Sequence, residues 1–169
     1  MTPPVFIHIY SDGSYFEKNK IGGWGVVIFK SAPTSQDPLP ASFQETSRIS
    51  GHKKDSCSLE MELIAADKGL QLLKKQLNTL PDKTTPCYHI TLFTDSRVLL
   101  EGLNQKIQSW RQKKWVHKSG NPVKYRALWE SLDSLTQQYQ IHWRWVKGHN
   151  GNVGNTLADQ LAREATRAL

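Results

Sequence analysis

Leu59, Leu63, Ala66, Leu70, Leu73 and Leu77 recur at steps of four and three. That spacing draws one apolar stripe along about five turns of α-helix, a stripe that must be buried against another element. Ser58 is placed to cap the start of this helix, and Pro81 lies beyond its end. Upstream, Val5-Phe6-Ile7-His8-Ile9-Tyr10 reads as a strand. Its period of two puts Val5, Ile7 and Ile9 on one face and His8, Tyr10 and Asp12 on the other. Gly13 suggests a turn. A second strand is expected from Gly23 to Lys30, a Pro- and Ser-rich loop over residues 31–40, and a third strand from Ala41 to Ile49. After the helix comes a strand from His89 to Thr94. Asp95-Ser96 ends it and starts a second helix, with Leu99 or Leu100, Leu103, Ile107 and Trp110 inward. A loop surrounds Ser119-Gly120-Asn121-Pro122. A helix from Val123 to Gln138, a fifth strand from Ile141 to Val146, a loop from Lys147 to Gly154 and a helix from Asn155 to Ala168 complete the chain.

Three strands, a helix, a strand, helices, a strand and a helix make an α/β chain. The expected sheet is five-stranded and mixed, three strands antiparallel and two parallel, flanked by helices. The 169 residues suit a single domain spanning 1–169. No apolar run approaches the roughly 20 residues that cross a bilayer. The N-terminus has neither the basic nor the apolar region of a secretory signal. Cys57 and Cys87 have no metal-type spacing and read as reduced thiols of a cytoplasmic protein. The net charge of +7 favours a polyanionic partner, nucleic acid first and an anionic membrane second.

Four carboxylates fall at the ends of elements, where sites tend to be built. Asp12 and Asp95 end the first and fourth strands. Were those strands adjacent and parallel, both side chains would emerge at one carboxyl edge. Glu62 lies one turn into the first helix, about 60° from the centre of its stripe, and Glu60 about 100° from it. Asp159 lies early in the last helix, away from the stripe of Leu157, Leu161 and Ala165. Singly each has an ordinary reading: a turn pair in Asp12-Gly13, a helix cap in Asp95-Ser96, surface charges in Glu62 and Asp159. Together they suit a hard divalent cation, which needs several carboxylate oxygens. His149, between glycines, has the chemistry of a proton carrier or of a plain exposed loop histidine.

Between Gly102 and Trp129 no acidic residue occurs, while Lys106, Arg111, Lys113, Lys114, Lys118, Lys124 and Arg126 do. Trp110, Trp115, Tyr125 and Trp129 are interleaved with them. Trp129 is expected in the core. The Trp110–Trp115 region is expected to be a protruding, cation-studded handle whose cations meet phosphates. Its rings either lie against sugar or base or simply pack in the core, and both are expected in part.

These residues together resemble ribonuclease H of the bacterial type I class, over essentially the whole chain. Tyr10-Ser11-Asp12-Gly13-Ser14 is similar to the family's first-strand motif, and Gly22-Gly23-Trp24-Gly25 to its second-strand entry. Met61-Glu62-Leu63-Ile64-Ala65-Ala66 is similar to its first-helix motif, which selects Glu62 over Glu60. Thr94-Asp95-Ser96 is similar to the third motif. Val146-Lys147-Gly148-His149, then Asn155 and Asp159-Gln160-Leu161-Ala162, resemble the His loop and final Asp. Residues 104–124, with Asn121-Pro122-Val123-Lys124, resemble the basic protrusion of the bacterial enzymes.

The resemblance implies an endonuclease that cuts the RNA strand of RNA–DNA hybrids, with little sequence preference. It implies a catalytic set of Asp12, Glu62, Asp95 and Asp159, assisted by His149. The four carboxylates would hold two Mg²⁺, or Mn²⁺, and the products would be a 5′-phosphate and a 3′-hydroxyl. Lys106, Trp110, Arg111, Lys113, Lys114, Trp115, Lys118, Lys124 and Asn155 would meet nucleic acid, and Asn155 would also steady the His loop beside it.

Three departures stand out. Glu17-Lys18-Asn19-Lys20 replaces a Gly-Asn-Pro-Gly loop, Cys57-Ser58-Leu59-Glu60 replaces an Asn-rich stretch, and Arg97 replaces Gln. The segment from Ser31 to Asp55 is also longer than the family suggests. A non-cutting hybrid-binding module and a DNA nuclease of the same broad fold are the competing readings. The absence of any heptad or swapped segment suggests a monomer.

Overall fold

The structure, a computed structural model, describes residues 2–80, 86–148 and 151–167. Strands β1 (Val5–Phe16), β2 (Ile21–Ser31) and β3 (Phe43–Lys54) form an antiparallel meander. Helix α1 (Ser58–Asn78) leads to β4 (Tyr88–Thr94), which pairs parallel with β1. Then come α2 (Arg97–Glu101), a π-helical stretch (Gly102–Lys106), α3 (Ile107–Gln112) and α4 (Arg126–Tyr139). Strand β5 (His142–Trp145) pairs parallel with β4, and α5 (Val153–Ala165) follows. The five-stranded mixed sheet has the order β3-β2-β1-β4-β5.

The α1 stripe does what its spacing requires. Leu63, Ala66, Leu70 and Leu73 are buried in one core with Val5, Ile7, Ile9, Val26, Ile28, Ile90 and Leu92. Each such leucine contributes on the order of 2 kcal/mol on leaving water. Helix α5 packs on the other side of β2, where Gly25 gives it room. A Cβ there would stand 2.5 Å from the Ala158 carbonyl oxygen.

Several boundaries differ from expectation. Gly13 is no turn: β1 runs on through Asp12↔Gly25 and Gly13↔Trp24 to a hairpin tip at residues 17–20. It is glycine because α1 crosses there, and a Cβ would lie 2.7 Å from the Glu62 backbone nitrogen. Strand β3 starts after a single 3-10 turn (Pro40–Ser42) and extends to Lys54, because its pairing with β2 continues to Ile21. The long 31–55 segment is therefore mostly sheet.

Ser58 does not cap α1. Cys57 holds the cap position without a side-chain bond, and Ser58 is already helical. Helix α4 begins only at Arg126, because Tyr125 sits in the left-handed region at φ 59°. Helix α5 begins earlier than expected: the Asn152 side chain accepts from the Asn155 amide at 3.0 Å and caps it. Its expected end at Ala168 lies outside the described residues. The expected second helix is interrupted by its π-helical stretch. Gly102 is glycine for packing, since a Cβ there would collide with the Trp129 ring.

Candidate active site

The last parallel pair between β1 and β4 is Tyr10↔Phe93. Two residues further along each strand stand Asp12 and Asp95, which therefore emerge together at one edge. Asp12 is only 4% exposed, and its Oδ1 accepts from the Gly13 amide at 2.9 Å. Helix α1 passes so close at Gly13 that Glu62 enters from the helix side. Asp12, Glu62 and Asp95 each offer an oxygen, all within 4.8 Å of one another.

Such crowding is unfavourable for three anions. Burial, then the Asp95 charge, push the Asp12 carboxyl up from 3.8 to about 8, against the opposing pull of a hydrogen bond with Glu62. Burial, then Asp12 and Asp95, raise Glu62 well above the ordinary carboxylate range. Its Oε2 is buried with no hydrogen-bond partner. An oxygen-rich, electron-rich pocket with an unpartnered carboxylate oxygen fits a hard divalent cation.

Asp159 is set differently. It projects from α5, half-buried, and Arg163 holds it at 3.1 Å. It does not join the close group of three, yet its charge also raises Asp12. His149 lies outside the described residues. Gly148, which precedes it, packs its backbone on Asp95, and a Cβ there would be 2.8 Å from Asp95 Oδ2. Asn155 is 3% exposed in the first turn of α5, so it is an enclosed residue beside the loop and not a surface contact for a duplex.

The basic segment divides into two layers. Lys106, Arg111, Lys113, Lys114, Lys118 and Lys124 are exposed. Arg111 pairs with Asp133 at 3.1 Å, and Lys124 lies over the Tyr125 ring. The tryptophans are not outward platforms. Trp115 is 8% exposed, and half-buried Trp110 packs against both Trp115 and Trp129, with ring centroids 6.0 and 5.2 Å apart. Left-handed Lys114 and Trp115 turn the chain back inward, with the Trp115 amide bonded to the Trp110 carbonyl at 2.7 Å. The handle thus carries cations outside and aromatic packing inside.

Sequence reasoning missed Trp145. Its Nε1 donates to the Asp95 carbonyl at 3.2 Å, and the Arg97 guanidinium covers its ring. Strand alternation places Trp143 and Trp145 on one face but says nothing of which polar group their nitrogens reach. It also missed the contact of the Cys57 thiol with the Tyr125 hydroxyl at 3.0 Å, which joins the start of α1 to the basic segment.

The family model for RNase H matches residues 5–167. A protein named Ribonuclease H from Francisella philomiragia is 37% identical over 160 residues, covering 95% of this chain and 90% of the relative. The solved structure of LC9-RNase H1, a type 1 RNase H with the type 2 active-site motif, superposes with a TM-score of 0.75. It is 21% identical and covers 98% of this chain and 74% of that one. A foamy viral protease-reverse transcriptase, solved in complex with an RNA/DNA hybrid, superposes with a TM-score of 0.69 at 16% identity. That match covers 98% of this chain and 20% of the viral one.

Proposed function

The chain belongs to the ribonuclease H family, and on that footing we propose that it is an endonuclease for the RNA strand of RNA–DNA hybrids, leaving 5′-phosphate and 3′-hydroxyl ends. The observation that carries this reading is the meeting of Asp12, Glu62 and Asp95, with an unpartnered oxygen of Glu62 among them. Those three, with Asp159 beside them, would hold two Mg²⁺ or Mn²⁺. When bound, the cations supply an activated water and charge stabilisation of the leaving 3′ oxygen.

The chain's own residues do the rest. The edge formed by β1 and β4 fixes the direction of Asp12 and Asp95. Helix α1, brought close by Gly13, sets Glu62 against them. His149, joined directly to Gly148, takes or relays a proton. The exposed lysines of the basic segment seat DNA-strand phosphates, and phosphate contacts position without specifying sequence. We read the chain as one catalytic domain, a monomer acting in the cytoplasm. Both cysteines are free, which suits a reducing compartment, and no described helix is long and apolar enough to cross a membrane.

The test is cleavage of a uniformly labelled RNA–DNA hybrid with Mg²⁺, Mn²⁺ or EDTA, beside DNA–DNA and RNA–RNA duplexes. Metal-dependent loss of only the hybrid's RNA strand, absent in Asp12→Asn, is expected. A folded protein that binds hybrid and cuts with neither metal would be a binding module instead.

A further inference from the structure

One cation beside the site has no role in that reading. Arg97 opens α2, two residues after Asp95, and is exposed. Its guanidinium carbon lies 4.2 Å from the centroid of the Trp145 ring. Trp145 is itself 42% exposed and is fastened through its Nε1 to the Asp95 carbonyl. A ring tied to the backbone of a site carboxylate therefore carries a positive charge on its face. Arg48, Arg111, Arg126 and Arg163 each pair with a carboxylate. Among the described residues no carboxylate forms an ion pair with Arg97.

Stacking occupies the face of a guanidinium and leaves its N–H donors pointing outward in the plane. That fork matches a phosphate's oxygens. A groove of about 380 Å³ leads away from it, lined by Arg97, Leu100, Glu101, Asn104, Gln105 and Trp145. One wall of the groove is the Trp145 ring that bonds to the Asp95 carbonyl.

We propose that Arg97, held on Trp145, grips the RNA-strand phosphate next to the scissile one, on the side that runs into this groove. The inference rests on the nuclease reading. If the strand being cut has its scissile phosphate at Asp12, Glu62 and Asp95, then its neighbouring phosphates are the anions nearest to a cation two residues from Asp95. The grip also has an electrostatic purpose. The site presents carboxylates to a polyanion, and a pre-positioned cation at its border offsets that repulsion.

The substrate for the test is a DNA strand with four central ribonucleotides, paired to DNA, which confines the cut. R97Q is expected to raise KM about tenfold, with the loss falling on KM and not on kcat. The slope of log(kcat/KM) against log[KCl] should become shallower by about 0.9, one phosphate contact. R97K, which keeps the charge without the fork, should recover that slope. A neutral methylphosphonate at the neighbouring RNA-strand phosphate should cost the wild type about the same tenfold and cost R97Q nothing further, as coupled partners do. A wild-type KM and salt slope in R97Q, or equal methylphosphonate losses in both proteins, would overturn the proposal. If the wild type cuts no hybrid at all, the nuclease reading itself fails. If it cuts and R97Q matches it, only the Arg97 assignment fails.

Discussion

Asp12 and Asp95 stand side by side because two parallel strands end in step, each two residues beyond the pair Tyr10↔Phe93. Asp12 is still paired with β2 through Gly25, whereas Asp95 has left the sheet and begins the approach to α2. One carboxylate is thus clamped by the sheet. The other is placed by a strand end, by Trp145 and by the backbone of Gly148. Replacing Asp95 by Asn should keep the shape and remove a cation ligand. Hybrid cleavage should fall by more than the roughly 10- to 100-fold typical of losing an outer partner of a metal site, with an unchanged circular dichroism spectrum and no loss of Tm. Normal turnover would remove Asp95 from the site.

The crowded carboxyls should be visible in stability without any substrate. A carboxyl whose pKa is higher in the folded chain than in the unfolded one stabilises the fold at low pH, and that contribution is lost as pH rises through the folded value. For Asp12 the window runs from 3.8 to about 8, and the upward shift of Glu62 acts in the same direction. In EDTA, Tm should therefore fall between pH 5 and pH 8, by on the order of 5 °C. Millimolar Mg²⁺ should restore part of the loss at pH 8, because a ligand of the folded state stabilises it. Asp12→Asn should flatten the EDTA profile. A flat profile in the unaltered protein would contradict the mutual repulsion.

Gly13→Ala tests how α1 delivers Glu62. The added Cβ would meet the helix backbone at 2.7 to 2.8 Å, which a flexible side-chain end cannot relieve. The expected cost is about 1–3 kcal/mol, read as a Tm lowered by roughly 2–4 °C per kcal/mol. Cleavage should fall as well, since the displaced element carries a cation ligand. Unchanged stability and activity would mean that the helix yields freely at this crossing.

The two layers of the basic segment should separate experimentally. Lys113→Ala and Lys118→Ala should each weaken hybrid binding, reduce its salt slope by about one and leave Tm in place. Trp115→Ala should instead destabilise by about 3–5 kcal/mol, because it empties a buried aromatic cluster. Equal effects on Tm from the lysines and the tryptophan would dissolve the distinction.

Much of this was legible in the chain. The α1 stripe needs only helical period, and Asp95 needs only the end of a strand, so both were placed from local pattern. The common edge of Asp12 and Asp95 followed from assuming two neighbouring parallel strands. The misread positions are those decided by distant partners. Gly13 looks like a turn glycine until α1 is laid across it, and Ser58 looks like a cap until Cys57 takes that place. For Trp115 the sequence left a contact with sugar or base and a place in the core both open, and two left-handed residues decide for the core. The α5 stripe was misplaced: Ala158 and Ala162 are buried beside Ala165, while Leu157 and Leu161 are only half-buried, so Asp159 flanks the true core face. Its pairing with Arg163 one turn on was not foreseen, although the spacing of four residues offered the signal.

The glycine at 148 has a further consequence. Its backbone rests on Asp95, and Asn152, four positions on, is locked as the cap of α5. Three residues separate them in the chain, and consecutive Cα atoms are about 3.8 Å apart. The span is therefore anchored at both ends: Gly148 cannot shift without disturbing Asp95, and Asn152 cannot shift without uncapping α5. A change of chain length here would be felt at once by a site carboxylate and by the helix that carries Asp159.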